Sequence, residues 1–205
     1  MKNNKTLIAL FFICFCGLIW NGYLVFKYKK MYKLKEVQVE RVENAFNEIQ
    51  NAVVKANTYA MKFQGKTLYL SDISKIYPET ETKQNPAPGP RLILVFSELG
   101  CNVCQDKETE FAAGIARKFG SEKCMVIIHS QNIRYARNYI RINRVKFPVY
   151  YCRDADFLLI NNIGNTPMIF VVDENDRIVA SHFPIPGHPV YSKPIHEFCL
   201  KYFEQ

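Results

Sequence analysis

The chain has 205 residues, 48% of them hydrophobic, and carries 27 Lys and Arg against 19 Asp and Glu, a formal net charge of +8. Beyond about residue 64 that leaves room for one domain with a sizeable core. The charge is uneven: residues 1–90 hold 13 basic and 7 acidic side chains (+6) and residues 91–205 hold 14 and 12 (+2), so the excess lies near the N-terminus, where it suits anionic lipid headgroups and argues against a nucleic-acid partner.

Leu7 to Phe26 (LIALFFICFCGLIWNGYLVF) is twenty residues without a charge. That length can cross a bilayer, and Trp20, Tyr23 and Tyr28 suit the interfacial belt. Lys2 and Lys5 precede the run as in a signal sequence. No A-x-A cleavage site and no small-residue pair ahead of Cys14 or Cys16 follows, so the sequence predicts an uncleaved single-pass anchor over residues 1–30. Lys27, Lys29, Lys30, Lys33 and Lys35 come after the run, and the positive-inside rule alone would keep the rest of the chain in the cytosol.

From 31 to 64 runs a connector. Val39, Val42, Phe46, Ile49, Val53, Ala56, Ala60 and Phe63 recur alternately at three and four residues, the a/d spacing of a heptad. This predicts a helix with one apolar seam, which either pairs with a second copy as a homodimer or packs on its own domain. Asn85-Pro86-Ala87-Pro88-Gly89-Pro90 then reads as a stiff loop.

Arg91 to Ser97 (RLILVFS) has the continuous apolar pattern of a buried central strand, and Asp106 to Phe119 that of an amphipathic helix. Between them stands Cys101-Asn102-Val103-Cys104. At a strand-to-helix turn the unpaired N–H groups and the helix dipole favour a thiolate, so the first cysteine of such a pair is suited to attack disulfides. The competing reading, half of a zinc site, lacks a second CxxC or CxxH at finger spacing, and no His follows Cys104 for haem attachment.

Cys124 to His129 reads as a buried strand, Asn132 to Asn143 as a basic amphipathic helix, Phe147 to Tyr151 as a short strand, Asp154 to Asn161 as a short helix and Lys193 to Phe203 as a closing helix. Arg134, Arg137, Arg141 and Arg144 recur at helical spacing, which fits either a solvated face or an acidic partner. Asn165 to Val179 reads as strand, polar turn and strand, with Pro167 opening the first strand, where proline is tolerated. Strands alternating with helices imply an α/β fold with a mixed central sheet covered on both faces. Cys124 is expected in the core, Cys152 and Cys199 are left over and could pair, and His182 and His188 are expected at the surface.

This order of elements resembles the thioredoxin fold, in particular the membrane-anchored thiol-disulfide oxidoreductases of the TlpA/ResA (AhpC/TSA-like) kind. The resemblance covers 65–205 and includes Gly65-Lys66-Thr67-Leu68-Tyr69-Leu70-Ser71-Asp72, which is similar to the family's "G-K-x-x-x-L-S-D" entry segment. It implies that Cys101 and Cys104 exchange disulfides with protein thiols, that Thr166 and Pro167 supply a cis-proline facing them at a substrate-docking edge, that no cofactor is required, and that the domain works outside the cytoplasmic membrane, in the periplasm. The chain departs from the family pattern in having Gly100 and Val103 where Trp-Cys-x-Pro-Cys carries tryptophan and proline, and Val95 where thioredoxin has a buried acid. Glu98, three residues before Cys101, would disfavour a thiolate if close to it. Two other readings stay open: a copper-binding chaperone on the same fold, with Cys101, Cys104 and one histidine as ligands, and a non-catalytic membrane adaptor.

Overall fold

The computed structural model describes residues 3–71, 73–77, 89–153 and 156–204, with residues 3–10 and Ile13 described by backbone alone. The chain divides into two compact units, Met1–Asn51 and Ala52–Gln205. One continuous helix, α1 (Asn3–Met61), supplies the described residues of the first unit and opens the second, spanning what the sequence divides into anchor and connector. Among the described residues no helix is long and apolar enough to cross a membrane; Leu7, Ile8, Ala9, Leu10 and Ile13, a quarter of the predicted span, are among those described by backbone alone.

The heptad seam of α1 is divided in the same way. Val39, Val42 and Phe46 are exposed, whereas Ala56, Ala60 and Phe63 are buried in the second unit. Phe63 packs edge-on against Phe170 with ring centroids 5.3 Å apart, and its burial contributes about 2 kcal/mol. The small residues at 56 and 60 let the helix backbone approach the domain, which is why the seam continues in register with a core.

A single six-stranded sheet organises the second unit: β1 (Ser74–Tyr77), β2 (Arg91–Ser97), β3 (Cys124–His129), β4 (Val149–Cys152), β5 (Met168–Val172) and β6 (Ile178–His182), in the order β1-β4-β3-β2-β5-β6. β2, β3 and β4 run parallel, linked by α2 (Asn102–Phe119) and α3 (Ile133–Asn143), while β1, β5 and β6 are antiparallel to their neighbours. α4 (Asp156–Ile160) and α5 (Lys193–Phe203) complete it. Two parallel crossovers followed by an antiparallel hairpin and a closing helix give a thioredoxin-like α/β fold with a mixed sheet and flanking helices.

Alternation along the central strands builds two cores. Leu92, Leu94 and Phe96 enter one with Ala112, Ile115 and Cys199; Ile93 and Val95 enter the other with Phe63, Leu68 and Phe157. Strands buried on both faces read as unbroken apolar runs, which is what LILVF and MVII are. Cys152 belongs to the second core and Cys199 to the first, so the sheet separates them and no disulfide joins them.

Boundaries differ from the sequence reading where local chemistry decides them. α2 begins four residues earlier than its apolar periodicity, because its first turn is the CxxC itself. The Asn132 side chain accepts a hydrogen bond from Arg134 N at 2.9 Å and caps α3, and Arg144, in the left-handed region at φ 49°, ends it. The entry segment pairs with the β5–β6 turn, Leu68 N donating to Asp176 O at 2.8 Å and Gly65 N to Ile178 O at 2.8 Å. β1 follows it as an edge strand that the four-residue pattern SKIY did not announce. The proline-rich loop lies outside the described residues up to Pro88.

Candidate functional site

The site forms at the C-terminal edge of β2. Cys101 is the N-cap of α2, with extended backbone (φ −71°, ψ 102°), and Gln105 N donates to its carbonyl at 3.0 Å. This places Cys101 at the open, positive end of the helix and Cys104 in the first turn, where it is 7% exposed. The two sulfurs are 2.7 Å apart, with the Cys104 thiol directed at Cys101 Sγ. The Cys104 thiol is pushed up to about 12, first by burial, then by its hydrogen bond and charge interaction with Cys101 and by the Glu108 carboxylate. Thus one cysteine of the pair is half-buried at the helix end and the other is shielded and held as a thiol.

Gly100 fits because nothing larger does. A Cβ there would lie 2.5 Å from Gln105 Nε2, 3.1 Å from Ser97 O and 3.2 Å from Thr166 Oγ1. Gln105 is fully buried and donates from Nε2 to Ser97 O at 2.9 Å, fastening α2 to the end of β2. Thr166 Oγ1 shares a hydrogen bond with Ser97 Oγ, and the Thr166–Pro167 peptide bond is cis. The β2–β5 register (Val95 opposite Met168) carries Thr166 and Pro167 to the sheet edge where Gly100 and Cys101 stand. Tyr59 of α1 steadies the loop ahead of them: its hydroxyl oxygen accepts from Gly164 N at 2.6 Å and Asn165 N at 2.9 Å.

Glu98 is an exposed turn residue whose carboxylate accepts from Ser130 Oγ at 2.6 Å. The carboxylate that does act on the pair is one that sequence reasoning missed. Glu108, 2% exposed, lies one turn beyond Cys104, and its Oε2 is 2.6 Å from His196 Nε2. His196 in turn stacks on Phe111 at 3.8 Å between ring centroids. A signal was present: Cys104, Glu108, Ala112 and Ile115 mark one face of α2 at spacings of four, four and three, so a charge stands on the buried stripe.

His182 is buried, contrary to the surface position expected for it, and its Nε2 lies 3.1 Å from Ser192 Oγ. Burial depresses its pKa to about 4 and keeps it neutral. His188 packs against the Tyr191 ring. Among the described residues no group of three His, Cys, Asp or Glu is placed to hold a metal ion, so neither histidine completes a ligand set with Cys101 and Cys104.

No protein-family model matches the chain, and no curated protein matches it. Among solved structures it is similar to a thiol-disulfide isomerase from Corynebacterium glutamicum (18% identity, TM-score 0.48, covering 66% of this chain and 96% of that one). It is also similar to a thioredoxin-like protein from Porphyromonas gingivalis (20% identity, TM-score 0.47, 65% and 92%) and to StoA from Bacillus subtilis (16% identity, TM-score 0.44, 63% and 94%). At such identities and overlaps neither the activities nor the substrates of those proteins transfer to this chain.

Proposed function

We propose that the protein is a thiol-disulfide oxidoreductase that exchanges disulfides with partner proteins through Cys101 and Cys104. The observation that carries this is the asymmetry of the pair: a half-buried cysteine at a helix N-cap, its sulfur 2.7 Å from that of a buried one. The Cys101 thiolate attacks one sulfur of a partner disulfide; that S–S bond breaks and the other partner sulfur leaves as a thiolate. Cys104, once deprotonated, attacks Cys101 Sγ in the mixed disulfide and releases the second partner thiolate. Two electrons pass to the partner and the protein is left with a Cys101–Cys104 disulfide. The same steps in reverse oxidise a partner dithiol, and the potential of the pair sets the direction. Thr166 and Pro167, on the neighbouring edge, shape the surface on which the partner chain lies, and the chemistry needs no cofactor.

The apolar run Leu7–Phe26 anchors the protein in the cytoplasmic membrane as a single pass, with the domain on the extracytoplasmic side, where disulfides persist. The exposed seam Val39, Val42 and Phe46 supports homodimerisation through α1. The reduced full-length protein in detergent should reduce insulin or a small disulfide, and Cys101→Ser should abolish this. Wild-type protein without turnover would leave the adaptor reading in its place. A C-terminal reporter active only in the cytosol would reverse the topology.

A further inference from the structure

From Cys124 to Arg153 the sequence holds six basic residues (Arg134, Arg137, Arg141, Arg144, Lys146 and Arg153) and no Asp or Glu. Four of the six recur at spacings of three, four and three along α3 and its cap, and all four are exposed. Like charges at these spacings destabilise a helix, and α3 contains no carboxylate to offset them. Alternating signs mark a salt-bridged solvated face, and this face carries one sign alone. Among the described residues Arg134, Arg141 and Arg144 have no ion-pair partner; Arg141 Nη2 donates to Asn138 Oδ1 at 3.3 Å. Ile142, 72% exposed, stands beside Arg141, and arginine with exposed apolar side chains is the composition of protein interfaces.

The stripe begins next to the reactive pair. Tyr135, at the start of α3, donates its hydroxyl to Asn102 Oδ1 at 3.5 Å and Gln105 Oε1 at 3.4 Å, and Asn102 adjoins Cys101. The carboxylates that face this end of α3 are Glu98, from the turn, and Asp106, from α2, both of which act on Tyr135. α3 is about 16 Å long, so the whole stripe falls within the footprint of an ordinary protein partner seated on Cys101. Resting on the disulfide-exchange reading, we infer that α3 is the docking face for the partner protein, and that the partner presents an acidic surface beside its reacting disulfide. Complementary charge of this kind acts chiefly on the association rate and fades with salt.

The test uses reduced full-length protein and three disulfides: an uncharged small one, and two otherwise identical peptide disulfides flanked by Asp and Glu or by Lys. At low ionic strength the acidic peptide should be reduced about tenfold faster than the basic one, with the preference collapsing in high salt. Arg134→Glu combined with Arg141→Glu should remove or invert it and leave the uncharged disulfide unaffected, whereas Lys at both positions should keep it. Normal turnover of the uncharged disulfide without an acidic preference, or a preference that survives charge reversal in a folded variant, overturns the inference alone. No turnover of any disulfide overturns the exchange reading and this inference with it. Protection of α3 from hydrogen exchange in phosphatidylglycerol nanodiscs, with no acidic-peptide preference, would hand the face to lipid headgroups and likewise overturn it.

Discussion

Glu108 and His196 meet 2.6 Å apart, one helical turn from Cys104, and join α2 to α5 behind the reactive pair. The carboxylate is one of the causes that hold the Cys104 thiol up at about 12, after burial and Cys101. Replacing it by the isosteric amide removes a negative charge and so lowers the free energy of the thiolate. In a reduced Glu108→Gln variant whose other five cysteines are replaced, the higher of the two thiol titrations, followed by thiolate absorbance, should move to lower pH than in the same background with Glu108. A titration unchanged from wild type would show that Glu108 does not act on the pair.

The folded-state pKa of His182, about 4, lies below the ordinary histidine value of 6.5, because burial disfavours the charged ring. The unfolded chain therefore binds this proton first as pH falls, and stability is lost between pH 6.5 and 4, by about 3 kcal/mol at the lower limit. Urea unfolding at pH 7 and pH 4.5 should show a smaller loss in His182→Asn than in wild type. Equal losses would mean that the ring does not remain neutral in the fold.

Gly100 is occupied on three sides, so Gly100→Ala must displace Gln105 from Ser97 or shift the end of β2. A cost of about 1–3 kcal/mol is expected, as for overpacking elsewhere. Disulfide exchange should slow with it, because the same three groups set the start of α2. Full stability together with full activity would contradict the packing described.

Tyr59 ties α1 to the loop that precedes Thr166. Tyr59→Phe keeps the ring packing on Phe63 and Phe183 and deletes only the acceptor. The amides of Gly164 and Asn165 should then exchange faster, with a stability loss of about 1 kcal/mol. Unaltered exchange at both amides would remove Tyr59 from the architecture of the site.

Where the fold was legible, one pattern sufficed to define an element. RLILVFS and CMVIIH have the pattern of strands covered on both faces, and the CxxC between such a strand and an amphipathic helix marks the edge at which both cysteines stand. What stayed hidden depends on partners distant in sequence. Gln105, fully buried and bonded to Ser97 O, looks like any polar helical residue until β2 is placed against it. Glu108 needs α5 to bring His196, and His182 needs the loop carrying Ser192, before either side chain can be buried. The apolar seam of α1 is visible in its period, yet period alone does not say that it is covered from Ala56 onward and open at Val39, Val42 and Phe46.

The central claim is that Cys101 attacks and Cys104 resolves. Cys104→Ser protein, expressed in its own cells and isolated after acid quenching of thiols, should carry a covalently bound partner as a higher-mass band that collapses on reduction, because the mixed disulfide at Cys101 has lost its resolving thiol. Cys101→Ser should carry none. A band trapped by Cys101→Ser and not by Cys104→Ser would reverse the roles, and absence of a reducible band from both variants would contradict disulfide exchange by this pair.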